Sequence, residues 1–292
     1  MRLISTKRRV KRFNRSSGGR RRLAISLGVL AILFVAWLFL YHRTASTPPK
    51  TYGGSSGPVS TPVPVSAPSA DFQPKKAEPV PNTTTLSAQD RAASLSVVVN
   101  KGRILPSTYV PANLVVPNVA LRLGPGSPEM RVRADAASAM EQLFAAAARD
   151  SLQLKLASGY RSYSFQRSLY NGYVASLGQA YADATSARPG HSEHQTGLAA
   201  DLEPASRNCE IQECFGNTAE GKWLAANSYK YGFIIRYQQG KQSLTGYQYE
   251  PWHVRYLGTS LATKVYSSGK ILEQYFGLPS YADYPAVQFQ LQ

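Results

Sequence analysis

Ser192-Glu193-His194-Gln195-Thr196-Gly197-Leu198-Ala199-Ala200-Asp201, followed further along by Glu250-Pro251-Trp252-His253, is the pair of stretches on which the fold of this chain turns. Together they carry two imidazoles, an aspartate and a spare glutamate. That is the ligand count of a catalytic zinc site with one open position, plus a general base beside it. His194 and Asp201 stand seven residues apart, so on an unbroken strand they would face opposite ways. His194 must therefore reach the metal from a loop before the strand, and Gly190 and Gly197 permit the bend. GLAADLE, residues 197–203, then alternates as a strand, with Ala199, Asp201 and Glu203 on one face and Leu198, Ala200 and Leu202 on the other. His253 is the third ligand, arriving from the end of a distant strand. Pro251 disfavours helical backbone at Glu250, so EPWH is not the helix-borne H-E-x-x-H arrangement; a turn at Pro251 would bring Glu250 and His253 towards one water. Taken singly, each of these residues is most simply a packed histidine, a capping aspartate or a salt-bridge partner. Only the set reads as a metal-dependent hydrolase with Zn2+ as cofactor.

Outward from this site the elements are mixed. SLSVVVNKGRILP, residues 94–106, has the look of a strand leading into a turn, and ADAASAMEQLFAAAARDSL, residues 134–152, has helical spacing and strong helix formers. LQLKLASGY, residues 152–160, alternates as a strand. A second helix is expected from Ser164 to about Ala184 with Ser164 as its cap, although Gly172 and Gly178 weaken it. TAEGKWLAANSYKYGF is a further helix ended by Gly232, after which FIIRY, a glycine-containing turn and a tyrosine-rich stretch up to Glu250 suggest an antiparallel hairpin. Without regular βαβ alternation, the class is α+β.

Charge divides the chain. Ten basic residues and no acid fall within residues 1–22, and residues 23–42 follow with no formal charge, about the ~20 residues a helix needs to cross hydrocarbon. The apolar run is longer than a signal peptide's and no convincing A-x-A site follows, so it reads as one membrane-spanning helix with the basic tail in the cytoplasm. Residues 43–85 are rich in Pro, Ser, Thr and Gly and read as a disordered tether. Residues 86–292 are long enough for one sizeable core and form the catalytic domain, outside the membrane. Of the formal charge of +16, residues 1–85 hold +12, which leaves a mild +4 for the domain and no case for nucleic acid. Cys209 and Cys214 share one short loop, CEIQEC, where an extracytoplasmic pair more often closes a small disulfide than binds metal.

The runs SGYRSYSFQ, ARPGHSEHQTGLAADL, GKWLAANSYKYGFIIRY and GYQYEPWHVRYLG resemble those of VanY-type D-alanyl-D-alanine carboxypeptidases, zinc enzymes of the hedgehog/D,D-peptidase fold, over roughly residues 95–273. The resemblance implies an antiparallel-sheet domain in which the family's H-x6-D pair falls on His194 and Asp201 and its E-x-x-H on Glu250 and His253. It implies zinc held by His194, Asp201 and His253, with Glu250 as catalytic base. By position it also implies that Arg161 faces the scissile carbonyl, where a cation steadies the developing oxyanion. Ser192 matches a serine that helps hold the substrate's terminal carboxylate, and Gln166 a glutamine with a substrate-binding role. His191 falls at a variable position and is left out, since a fourth protein ligand would close the open position. The expected partner is a peptidoglycan stem peptide ending in D-Ala-D-Ala, with no protein partner. The alternatives are a D,D-dipeptidase or endopeptidase on the same fold, or a non-catalytic wall-binding domain, against which Glu250 argues.

Overall fold

The computed structural model describes residues 86–292; the basic tail (1–22), the membrane-spanning helix (23–42) and the tether (43–85) expected from the sequence lie outside them. Among the described residues, no helix is long and apolar enough to cross a membrane. In chain order the elements are β1 (Arg103–Ile104), β2 (Leu114–Val115), β3 (Val132–Arg133), α1 (Ala134–Arg149), β4 (Leu154–Ser158), α2 (Tyr163–Leu177), α3 (Gln179–Thr185), β5 (Ala199–Pro204), α4 (Ala219–Asn227), β6 (Phe233–Tyr237), α5 (Gln242–Thr245), β7 (Glu250–Tyr256), α6 (Thr259–Ser268), α7 (Leu272–Phe276) and β8 (Phe289–Gln290), with short 3-10 turns between. The class is α+β. Four strands form an antiparallel sheet in the order β4-β5-β7-β6, so the two inner strands are those carrying Asp201 and His253.

Alternation along these strands sorts the sheet into a core face and a site face. Leu154, Leu156, Ala200, Leu202 and Val254 meet Ala136, Ala137, Met140, Leu143 and Ala147 of α1 in the main core, with Phe215, Leu224 and Phe233 beside them. The α1 positions recur at helical spacing, and each large side chain buried there contributes roughly 1.5–3 kcal/mol. Asp201 and His253, one residue out of phase with Ala200 and Val254, therefore project from the opposite face, directly paired across β5 and β7. Two irregularities aim the rest. Between β4 and β5 the register slips at Ala157, and between β6 and β7 the step from Ile235 to Tyr237 is matched by the run from Val254 back to Glu250. That bulge in β7 lets Glu250 and His253, three apart, serve one side of the sheet.

Several local expectations need correction. Residues 97–99 are buried but form no ladder, because arginines rather than a neighbouring strand take their carbonyls: Arg255 Nη2 donates to Val97 O at 2.7 Å and Arg103 Nε to Val98 O at 2.9 Å. The second helix is capped by Ser162, whose Oγ accepts from Phe165 N at 3.1 Å, not by Ser164, and Gly178 at φ 84° breaks it into α2 and α3. The hairpin partner of β6 is β7 itself, reached through α5, and not the tyrosine-rich stretch before it. At the far end, β8 pairs in parallel with β1, while Gln292 N donates to Asp90 O at 3.0 Å and Ala92 N to Gln292 O at 2.5 Å. The CEIQEC loop is closed by a Cys209–Cys214 disulfide.

Candidate metal centre

His194 enters the site from a 3-10 turn, Glu193–Thr196, that ends at Gly197 with φ 67°, the left-handed backbone that suits glycine. Its Nδ1 hydrogen goes to the carbonyl of Gly159 at 2.6 Å, which turns the Nε2 lone pair towards Asp201 Oδ1, 3.3 Å away. His253 brings Nδ1 to 3.2 Å from the same oxygen, and its ring meets that of His194 edge-on with centroids 4.9 Å apart. One donor atom from each of His194, Asp201 and His253 lies within 4.8 Å of the other two, and all three residues are buried. Glu250 Oε2 stands 3.6 Å from His253 Nδ1. The sequence-derived ligand set and base thus occupy one place, at the wall of a cleft of about 420 Å³ that Arg161, Ser192, Tyr237 and Trp252 also line.

The electrostatics favour a cation there. Burial opposes a charge on Asp201, yet His194 and Arg161 hold its carboxyl well below the usual range. Burial, reinforced by the Arg161 guanidinium, pushes His194 down to about 4, so it presents a neutral lone pair. Burial also opposes charge on His253, but the facing carboxylates of Asp201 and Glu193 outweigh it and carry the ring up to about 9. Asp201 Oδ1 is buried and has no hydrogen-bond partner, although two imidazole nitrogens flank it. Arg161 Nη2 already lies 2.6 Å from His194 Nε2 and 2.7 Å from Asp201 Oδ2, a cationic donor against the ligand lone pairs. A mixed nitrogen and oxygen set with an orphaned carboxylate oxygen fits a divalent ion such as zinc. Glu250 is buried too, and desolvation pushes its carboxyl up to about 7, in the range of a general base at neutral pH.

The remaining candidates fall at different depths. Arg161 is braced by Ser158 Oγ at 3.0 Å and Gln166 Oε1 at 3.2 Å. Gln166 is 1% exposed rather than lying open in the cleft, and its amide is spent on Ser186 Oγ and Ala187 O, so it touches the site through Arg161. Ser192 lies on the cleft wall just before the first ligand. His191 is outside the cluster, its Nδ1 2.8 Å from Asn100 O and its ring against Tyr284. Ile211 of the disulfide loop reaches the cleft at φ 48°, a backbone value unusual for a β-branched side chain. Sequence reasoning missed Gly159, whose carbonyl orients His194, and Glu193, which no spacing rule distinguishes from a surface acid.

Comparison with known proteins agrees with this geometry. Residues 129–259 match the family model described as VanY, D-alanyl-D-alanine carboxypeptidase. The chain is 42% identical to YodJ of Bacillus subtilis (strain 168) over 183 residues, 63% of this chain and 67% of that protein. Among solved structures it is similar to the LdcB LD-carboxypeptidase (41% identity, TM-score 0.61, covering 65% of this chain and 88% of that one). It is similar as well to a mutant of the vancomycin resistance D,D-pentapeptidase VanY in complex with Zn(II) (34% identity, TM-score 0.52, covering 62% and 98%). The family is zinc-dependent, and His194, Asp201 and His253 form a group that could hold such an ion. The chain belongs to the VanY family of D-alanyl-D-alanine carboxypeptidases.

Proposed function

We propose that this chain is a membrane-anchored zinc carboxypeptidase that removes the terminal D-alanine from peptidoglycan stem peptides outside the cytoplasmic membrane. The observation that carries the reading is the meeting of His194, Asp201 and His253 donor atoms within 4.8 Å, with Glu250 beside them at an open cleft. When bound, zinc supplies Lewis acidity towards the scissile carbonyl and the attacking water. Glu250 accepts a proton from that water as its oxygen attacks the carbonyl carbon, then passes the proton to the leaving nitrogen as the C–N bond breaks, releasing D-alanine with a free amine. Arg161, held by Ser158 and Gln166, presents a fixed cation where the oxyanion develops. Ser192 is placed on the cleft wall to hold the substrate's terminal carboxylate, and Gln166 acts on substrate through the arginine it braces.

Anchoring is supported by the uncharged run of residues 23–42 behind a basic tail, and the substrate's place outside the membrane agrees with that topology. A second reading, removal of D-alanine from an L,D-linked tetrapeptide, is favoured by the likeness to LdcB. Both are decided by product masses: the full chain is incubated with a stem pentapeptide and, separately, a stem tetrapeptide, with and without chelator. Loss of one alanine from the pentapeptide alone supports the D,D reading, and loss from the tetrapeptide alone supports the L,D reading. No chelator-sensitive loss from either refutes both.

A further inference from the structure

We infer that Glu193 is a positioning residue for the third zinc ligand: its carboxylate accepts the Nε2 hydrogen of His253 and thereby commits the Nδ1 lone pair of that ring to the metal. The inference rests on the zinc site proposed above and deepens it. His253 turns Nδ1 towards Asp201 and Glu250, at 3.2 and 3.6 Å. A neutral imidazole has one hydrogen, so ligation through Nδ1 requires it on Nε2. The carboxylate facing that nitrogen is Glu193, with Oε2 3.7 Å away. Both atoms are buried and neither has a hydrogen-bond partner. Two orphaned groups of complementary character, turned towards each other, satisfy one another by a contraction of about 0.5–1 Å.

The other half of the Glu193 carboxylate is already committed. Oε1 accepts from Arg236 Nε at 2.8 Å and from Arg255 Nη1 at 2.7 Å. Those arginines are themselves pinned, Arg236 by Glu273 and Arg255 by the carbonyls of Leu95 and Val97. One oxygen thus fixes the carboxylate and leaves the other for the ring. A glutamate present only to neutralise arginines would have no reason to keep Oε2 opposite an unpartnered imidazole nitrogen. Each imidazole ligand then has its own acceptor, the Gly159 carbonyl for His194 and the Glu193 carboxylate for His253, the outer-shell arrangement that sets tautomer and basicity at zinc sites. A single short turn delivers the first ligand and the group that orients the third.

The test is the zinc dissociation constant of the full chain by chelator competition, in wild type, Glu193→Ala and Glu193→Asp, with melting temperatures measured zinc-free and zinc-loaded. Asp keeps a negative charge between Arg236 and Arg255 but retracts it from His253. Zinc affinity is expected to fall about 10- to 100-fold in Glu193→Ala and on the order of tenfold in Glu193→Asp, with a smaller rise in melting temperature on adding zinc. Variants with native circular dichroism, a lowered zinc-free melting temperature and zinc affinity within about twofold of wild type overturn the inference and leave Glu193 a purely structural residue. Should Glu193→Ala fail to fold, Glu193→Asp decides alone. A wild-type chain that binds no zinc instead overturns the underlying site.

Discussion

Substituting Gly159 by alanine is expected to weaken the metal site as well as the domain. Its φ is not in the left-handed region, so the backbone itself tolerates alanine, and the issue is space. A Cβ there would lie 2.3 Å from Arg131 O and 2.9 Å from Val132 Cγ1, where the optimum between carbon atoms is ~3.5–4.0 Å. Relief requires the segment to move by about 1 Å, since its neighbours are main chain and a core valine. That segment cannot move without consequence. Gly159 N donates to Glu129 O at 2.5 Å, Tyr160 N to Arg131 O at 2.6 Å, and Gly159 O receives the Nδ1 hydrogen of His194 at 2.6 Å. Losing an outer-shell partner of a ligand histidine costs ~10- to 100-fold in affinity, or ~1.4–2.7 kcal/mol of binding. Overpacking adds ~1–3 kcal/mol of destabilisation to the fold. Chelator competition on the full chain reads the first effect, and zinc-free thermal unfolding reads the second. A variant that unfolds earlier but binds zinc within about twofold of wild type would refute the claim that this carbonyl sets the His194 ring.

Two further substitutions separate chemistry from metal binding. Glu250→Gln removes the proton acceptor while keeping the side chain's size, so zinc should stay bound by metal analysis after dialysis while turnover falls by orders of magnitude; equal turnover would remove Glu250 from the mechanism. Arg161→Ala should retain zinc and lose on the order of 10² or more in rate, as for other oxyanion donors, and an unchanged rate would leave Arg161 a structural role through its contacts to Asp201, His194, Ser158 and Gln166.

What was readable in the sequence follows the physics that local spacing can carry. The alternation of GLAADLE put Asp201 on the site face, and the seven-residue gap to His194 required a loop-borne ligand, which the turn at Glu193–Thr196 supplies. The small and large apolar residues of α1 declared a face because helical periodicity is local. Long-range hydrogen bonding was not readable. Nothing in SLSVVV shows that arginines will take its carbonyls in place of a strand, and nothing in EPWHVRY shows the bulge that aligns Glu250 with His253. Gly159 and Glu193 escaped for the same reason, since each acts on a histidine through a contact that exists only once the sheet is assembled. The cap moved from Ser164 to Ser162 because the extended backbone that a capping residue needs falls two positions earlier.

The stitching of Gln292 to Asp90 and Ala92, beside the parallel pairing of β8 with β1, means that the two ends of the described region leave it as neighbours. The order in which the elements are strung is then separable from how they pack. A short peptide joining those ends, with a cut at the exposed turn around Gly240, is expected to preserve every strand neighbour and to place the new ends in the loop between β6 and α5. A circularly permuted gene is then expected to keep the catalytic architecture under a different chain connectivity.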